Sequence, residues 1–189
     1  MRRLGVALAM IGLLIIGSVA TMGRSTMAQA ATPAASPGAG CPATSEDENE
    51  AIARRWHEEA INTHDLAVLD EILASDSTLD SATVSNNPGP RAVLETLLTG
   101  FPDVHHTIEM VITEGDLVVI RYRATGTHAG EFQGYAPTGK SVTWTGTNIY
   151  RIECGRIAEI WSEVDALGRI AQLTGDASPA TPAAGTPTP

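Results

Sequence analysis

Positive charge is scarce in this chain. Over 189 positions, 12 Lys and Arg residues face 22 Asp and Glu. Arg2, Arg3 and Arg24 lie in the first stretch, and beyond them nine basic residues stand against 22 acidic ones, a net charge near −13. No basic run occurs. A surface of that sign repels nucleic-acid phosphates and anionic lipid, so neither is an expected partner. Cysteine is almost absent, with only Cys41 and Cys154. Two cysteines without suitably spaced histidines are too few for a zinc site, so no metal is expected. His105 and His106 offer no ligand spacing and read as the entry to a strand. No Gly-x-Ser-x-Gly elbow surrounds Ser162, which makes it a poor nucleophile.

The one long apolar run, Leu4 to Ala20, follows Arg2 and Arg3 and precedes "AQAA". Ala28 and Ala30 fit the small-x-small rule for cleavage before Ala31, so residues 1–30 read as a signal peptide and the mature protein as secreted or extracytoplasmic. The alternative is a membrane anchor, because a run of about 17 residues is at the lower limit for a spanning helix. Contact with a membrane is expected only if this segment is retained. Residues 31–45 and 176–189 are rich in Ala, Pro and Thr, bury too little apolar surface to order themselves, and read as disordered spacers. Residues 46–175 remain as one ordinary domain. In an oxidising compartment Cys41 of the spacer and Cys154 of the domain are expected to pair, stapling the N-terminal segment to a late turn.

Within that domain, helical periodicity comes first. Ser45 with Glu48 has capping-box spacing, and Ile52, Trp56 and Ala60 form an apolar stripe behind it. "DLAVLDEILA" predicts a short second helix. "STLDSATVSNNPGP" reads as a loop. "PRAVLETLLTGF" predicts a third helix that starts at Pro90 and stops at Gly100. Alternation then takes over. "HTIEMVITEGDLVVIRYRATGTH" predicts a hairpin turning at Glu114–Asp116. A register centred on Gly115 puts Glu109, Val111, Val119 and Arg121 on one face and Ile108, Met110, Ile112, Val118, Ile120 and Tyr122 on the other. Glu109 and Arg121 are then a cross-strand ion pair. A second hairpin, from Ser141 to Val164, turns at Cys154–Gly155, and "DALGRIAQL" closes the chain as a short helix capped by Asp165. Helices followed by antiparallel strands indicate an α+β domain.

"FPDVHHTIE", "GTHAGEFQGYAPTGK" and "WSEVDALG" resemble the SnoaL-like polyketide cyclase, or ester cyclase, family, and the resemblance extends over residues 47–174. It implies the nuclear-transport-factor-2-like fold: three N-terminal helices packed as a cone on a strongly curved antiparallel sheet, a deep pocket, and a homodimer formed through the sheet. It also implies ring closure by intramolecular aldol condensation on a carbonyl-containing or polyketide-like molecule, without metal or cofactor, by a pocket carboxylate assisted by a histidine. On this resemblance the family's pocket histidine falls at Asn148 and its catalytic aspartate at Ser162, and neither replacement does the same proton transfer.

Two roles therefore stay open for the remaining candidates. Asp165 and His128 are the catalytic candidates; set against them, Asp165 is an N-cap and His128 a loop histidine. Asn148, Ser162, Trp161, Tyr150 and Trp56 are the candidate pocket residues. Asn148 and Ser162 face each other if the second hairpin is centred on Gly155, and together could hydrogen-bond a ligand carbonyl. Trp161 shares a face with Glu163 and Asp165 while the strand stays regular. The function is either cofactor-free acid/base chemistry or non-catalytic binding of a small apolar ligand. A third reading is an interaction domain whose interior is filled by its own side chains.

Overall fold

The computed structural model describes residues 40–83 and 88–175. The expected signal peptide, most of the first spacer and the C-terminal tail lie outside the described residues. Among those described, no helix is long and apolar enough to cross a membrane.

Helix α1, Glu46–Arg55, starts with the capping box expected from its sequence. Ser45 Oγ accepts the Glu48 N–H, while the Glu48 carboxylate accepts the Ser45 N–H at 2.8 Å. The helix then widens into a π-helical turn, Trp56–Ile61, where the Asn62 N–H reaches back to His57 O. This lets two consecutive side chains, Trp56 and His57, both turn inward. A 3₁₀ turn, Leu66–Val68, capped by Asp65, leads into the single turn of α2, Leu69–Ile72.

The chain then departs from the expected loop. Leu73–Asp80 is a strand, β1, paired in parallel with the last strand of the sheet. Its Ser, Asp and Thr residues carry no strand pattern because most of it is an exposed edge, and only Leu79 is buried. The sheet is therefore mixed, not purely antiparallel. Helix α3, Pro90–Gly100, begins with proline after Gly89, as expected. Gly100 is its last residue without being a left-handed cap, and it is a glycine because a Cβ there would run into the Phe132 side chain.

Strands β2 (His105–Glu114), β3 (Leu117–Thr127), β4 (Ser141–Glu153) and β5 (Arg156–Val164) complete the sheet in the order β1-β5-β4-β3-β2. The first hairpin corrects the expected faces. A bulge between Ile108 and Met110 shifts the register by one, so Val111 pairs with Ile120 and Ile112 with Val119. Met110 and Ile112 therefore point outward, 53% and 55% exposed. The Glu109–Arg121 ion pair forms at 3.1 Å, and Arg123 joins it at 2.9 Å. The second hairpin turns through Cys154 and Gly155, both at positive φ, the geometry of a tight primed turn. Helix α4, Ala166–Thr174, is capped by Asp165, whose Oδ1 accepts the Gly168 N–H at 2.9 Å.

Every second residue of β4 from Val142 to Ile152 is buried. This inner face meets α1 and α3 in one core containing Trp56, Ile61, Leu94, Phe101, Ile120, Trp144 and Tyr150. Cys41 and Cys154 form a disulfide with Cα atoms 5.4 Å apart, across 113 residues of sequence. Closing a loop of that length restricts the unfolded chain strongly. Replacing both cysteines by serine is expected to lower stability by about 2–4 kcal/mol, measured by urea unfolding of non-reduced protein beside the double variant.

Candidate functional site

Between the helices and the inner sheet face lies a cavity of about 280 Å³. It is at the lower end of the roughly 300–1,000 Å³ typical of small-molecule sites. Its walls are mostly apolar, with Trp56, Ile61, Leu94, Leu97, Phe132 and Trp144 prominent. Its polar lining includes His106, Tyr122, Asn148, Ser162 and Arg169, and no Asp or Glu of the described residues takes part.

Strand alternation assembles the polar side. Asn148 pairs with Ser162 across β4 and β5, on the cavity face. Beneath them, Asn148 Nδ2 donates to Tyr150 Oη at 2.8 Å, and Tyr150 Oη is 2.8 Å from His57 Nε2. His57 Nδ1 is in turn 2.9 Å from His106 Nδ1. Asn62 locks His106 in place from the end of the π turn: its Nδ2 donates to His106 O at 2.9 Å and its Oδ1 accepts the His106 N–H at 2.7 Å. The His106 ring stacks on Tyr122 with centroids 4.2 Å apart. Gly146 makes room for the Tyr122 phenol, which a Cβ there would strike.

With the Asn148 amide in this orientation, hydrogen accounting fixes each proton in the chain. Tyr150 Oη already accepts from Asn148, so its own hydrogen goes to His57 Nε2. His57 then carries its proton on Nδ1 and donates to His106 Nδ1. His106 is left with Nε2–H, and that atom has no partner among the described residues. Asn148 Oδ1 and Arg169 Nε are likewise buried without a partner. Three of the five buried unpartnered side-chain atoms among the described residues thus belong to residues lining this cavity, and the other two, Thr113 Oγ1 and His128 Nε2, lie elsewhere.

Burial sets the charge state of the chain. Desolvation lowers the His57 pKa to about 3, with the Arg54 charge adding to the effect. It also holds His106 well below its ordinary value, assisted by His57 and His105. Both imidazoles are neutral at pH 7. Desolvation pushes Tyr122 up to about 12, opposed by the Arg169 charge and a hydrogen bond with Ser162. Tyr150 is raised well above its usual range for the same first cause.

The candidates read from sequence divide between this site and the outside. Trp56, Asn148 and Ser162 line the cavity; Tyr150 lies behind the lining and supports it through hydrogen bonds. Trp161 sits on the opposite sheet face, where Arg151 stacks over its ring at 5.4 Å. Asp165 and Glu163 are exposed and line no part of the cavity. His128 is buried but away from the cavity lining. Its Nδ1 accepts the Thr138 N–H at 3.2 Å, and its backbone pairs with Gly139 and Lys140, so it braces the loop from 128 to 140. Among the described residues, no group of three or more His, Cys, Asp or Glu could hold a metal ion.

Sequence reasoning overlooked His57, His106, Tyr122 and Arg169. A signal existed for two of them. Ala53 and Ile61 lie four residues either side of His57, and all three are buried. Val104, His106 and Ile108 alternate inward along the strand entry.

The sequence profile of the SnoaL-like polyketide cyclases matches residues 51–173. The chain belongs to this family. Among solved structures it is similar to AclR of Streptomyces galilaeus, described as a candidate hydroxylase, at 27% identity and a TM-score of 0.62, covering 74% of this chain and 87% of AclR. It is similar to IdmH of Streptomyces antibioticus, a candidate polyketide cyclase, at 32% identity and a TM-score of 0.57, covering 67% of this chain and 98% of IdmH. A SnoaL-like polyketide cyclase candidate from Jannaschia sp. CCS1 shares the fold at 24% identity and a TM-score of 0.63, over 71% of this chain and 98% of that one. None of the curated proteins compared matches. Membership establishes the nuclear-transport-factor-2-like fold and is consistent with a small-molecule ligand.

Neutral histidines make the fold sensitive to acid. Both histidine pKa values are depressed in the folded state, so below the unfolded value of about 6.5 the unfolded chain binds more protons and stability falls. His57 is expected to remove about 2 kcal/mol between pH 7 and pH 5. Urea unfolding at the two pH values should show this loss, and H57Q should reduce it.

Proposed function

We propose that this domain binds a small, largely apolar molecule bearing a carbonyl oxygen, polyketide-like in chemistry, in the cavity between helices and sheet. The observation that carries this is the set of unpartnered polar atoms on a cavity that is otherwise apolar. His106 Nε2–H suits a carbonyl oxygen, and Asn148 Oδ1 suits a hydroxyl or enol on the same molecule. Each such atom costs about 1–3 kcal/mol while unpaired, and a ligand that satisfies it recovers that energy. Family membership agrees with this class of molecule.

Cofactor-free acid/base conversion is the second reading, and the neutral His106 donor favours it, because a fixed N–H polarises a carbonyl without itself ionising. Ring closure also needs a base. No carboxylate of the described residues lines the cavity, and the proton chain leaves His106 Nε2 occupied. Binding is therefore the primary reading, with His106 in contact with the ligand and Asp165 and His128 away from it. Export belongs to the same proposal, supported by the sequence of residues 1–30 and by the disulfide. So does a homodimer through the outer sheet face, supported by the exposure of Met110 and Ile112.

Prodan, a neutral naphthyl ketone whose emission reports polarity and carbonyl hydrogen bonding, provides the test. Saturable binding with blue-shifted emission is expected. Filling the cavity with L97W should abolish it. Removing the donor with H106F should weaken it by about three- to tenfold, the worth of one hydrogen bond. No saturable binding, or equal binding by folded L97W, sinks the reading.

A further inference from the structure

Arg169 is the most buried cation described, at 4% exposed, and it is placed unlike every other described arginine. Arg54, Arg55, Arg91, Arg121, Arg123 and Arg151 each pair with one or more carboxylates. Arg156 donates to the carbonyls of Asp70 and Leu73. Among the described residues, the Arg169 guanidinium meets no carboxylate and no hydrogen-bond acceptor. Instead its central carbon lies over two aromatic rings, 4.6 Å from the Phe132 centroid and 5.2 Å from the Trp144 centroid. Arg169 lines the cavity, and its Nε is buried without a hydrogen-bond partner.

The lack of a partner is not for want of carboxylates in a chain with 22 of them. Asp165, one helical turn before Arg169, acts on it through its field without an ion pair, while its Oδ1 caps α4 on the Gly168 N–H. A buried, desolvated cation with no counter-ion is unfavourable for the empty fold. Guanidinium groups bind planar carboxylates through paired N–H···O bonds.

We propose that the ligand of this cavity carries a carboxylate, which pairs with Arg169 beside Phe132 and Trp144, on an apolar and preferentially aromatic body. This rests on the small-molecule reading given above and narrows its ligand class to apolar carboxylic acids. The acidic surface repels anions in general, so a preference for an acid over its neutral analogue must arise inside the cavity.

Naphthoate and naphthamide, equal in shape and different in charge, separate the two readings by isothermal titration at low and moderate salt. Naphthoate is expected to bind at least about tenfold more tightly, the worth of a desolvated charged hydrogen bond. R169M should erase the difference by weakening naphthoate far more than naphthamide, and R169K should keep part of it. Equal affinity of the two probes overturns the carboxylate assignment and leaves the cavity reading standing. A preference that survives in R169M also overturns it. Binding of neither probe overturns both. Thermal shifts of the unmodified protein give the same comparison without a variant: naphthoate should raise the melting temperature more than naphthamide, and the reverse order refutes the proposal.

Discussion

The hydrogen-bond chain from Tyr150 through His57 to His106 is the constraint on which the rest of the domain depends. It joins β4, α1 and β2, with partners 93 and 49 residues apart in sequence. No member is exposed to water, so none can exchange its partner for solvent without leaving a buried polar group unpaired. Local features then follow from this one. The π turn in α1 exists where His57 must face inward beside Trp56. Asn62 saturates the backbone of His106 on what would otherwise be an open sheet edge. Gly146 is a glycine because Tyr122, stacked on His106, needs the space. A polar chain of this kind has one satisfied arrangement, so it fixes the helix against the sheet more narrowly than apolar packing does.

Two irregularities decide which side chains reach the cavity. The bulge between Ile108 and Met110 keeps His106 and Ile108 inward and turns Met110 and Ile112 outward. The second, at Arg151–Ile152, offsets the other hairpin by one residue, so Asn148 faces Ser162. A one-residue slip moves every following side chain to the opposite face. The bulges thus set the division between a mostly apolar cavity and an outer face where Arg151, Glu159 and Asp116 form ion pairs around Trp161.

Where local chemistry decided the outcome, the sequence was readable. Ser45 and Glu48 cap α1, Cys154–Gly155 turns a hairpin and Asp165 caps α4, each through contacts a few residues long. Asn148 opposite Ser162 was also readable, since a centre at Gly155 happens to equal the true turn plus the later bulge. The same device failed at Gly115, where the bulge lies further along and the residues nearest the turn take the other register. Strand β1 was hidden because its pairing with β5 is long-range and its composition is that of a loop. His57, His106 and Arg169 were hidden because their significance comes from neighbours distant in sequence. A histidine with apolar residues four positions either side is ambiguous until the opposing strand is known.

The unpaired atoms of the cavity run against the stability of a single domain of this size. His106 Nε2, Asn148 Oδ1 and Arg169 Nε together cost several kcal/mol at about 1–3 kcal/mol each. Whole domains are stable by only roughly 5–15 kcal/mol. Apolar side chains of similar volume would fill the same space at lower cost, and the surrounding Leu94, Leu97 and Trp144 show that such residues are accommodated there. Selection for folding alone would remove these polar groups. Their grouping on one cavity, with the proton chain behind His106 and the aromatic rings beside Arg169, is the arrangement expected where a molecule with its own oxygens completes the interior. The long-range disulfide offsets part of that cost through the unfolded chain, without touching the cavity.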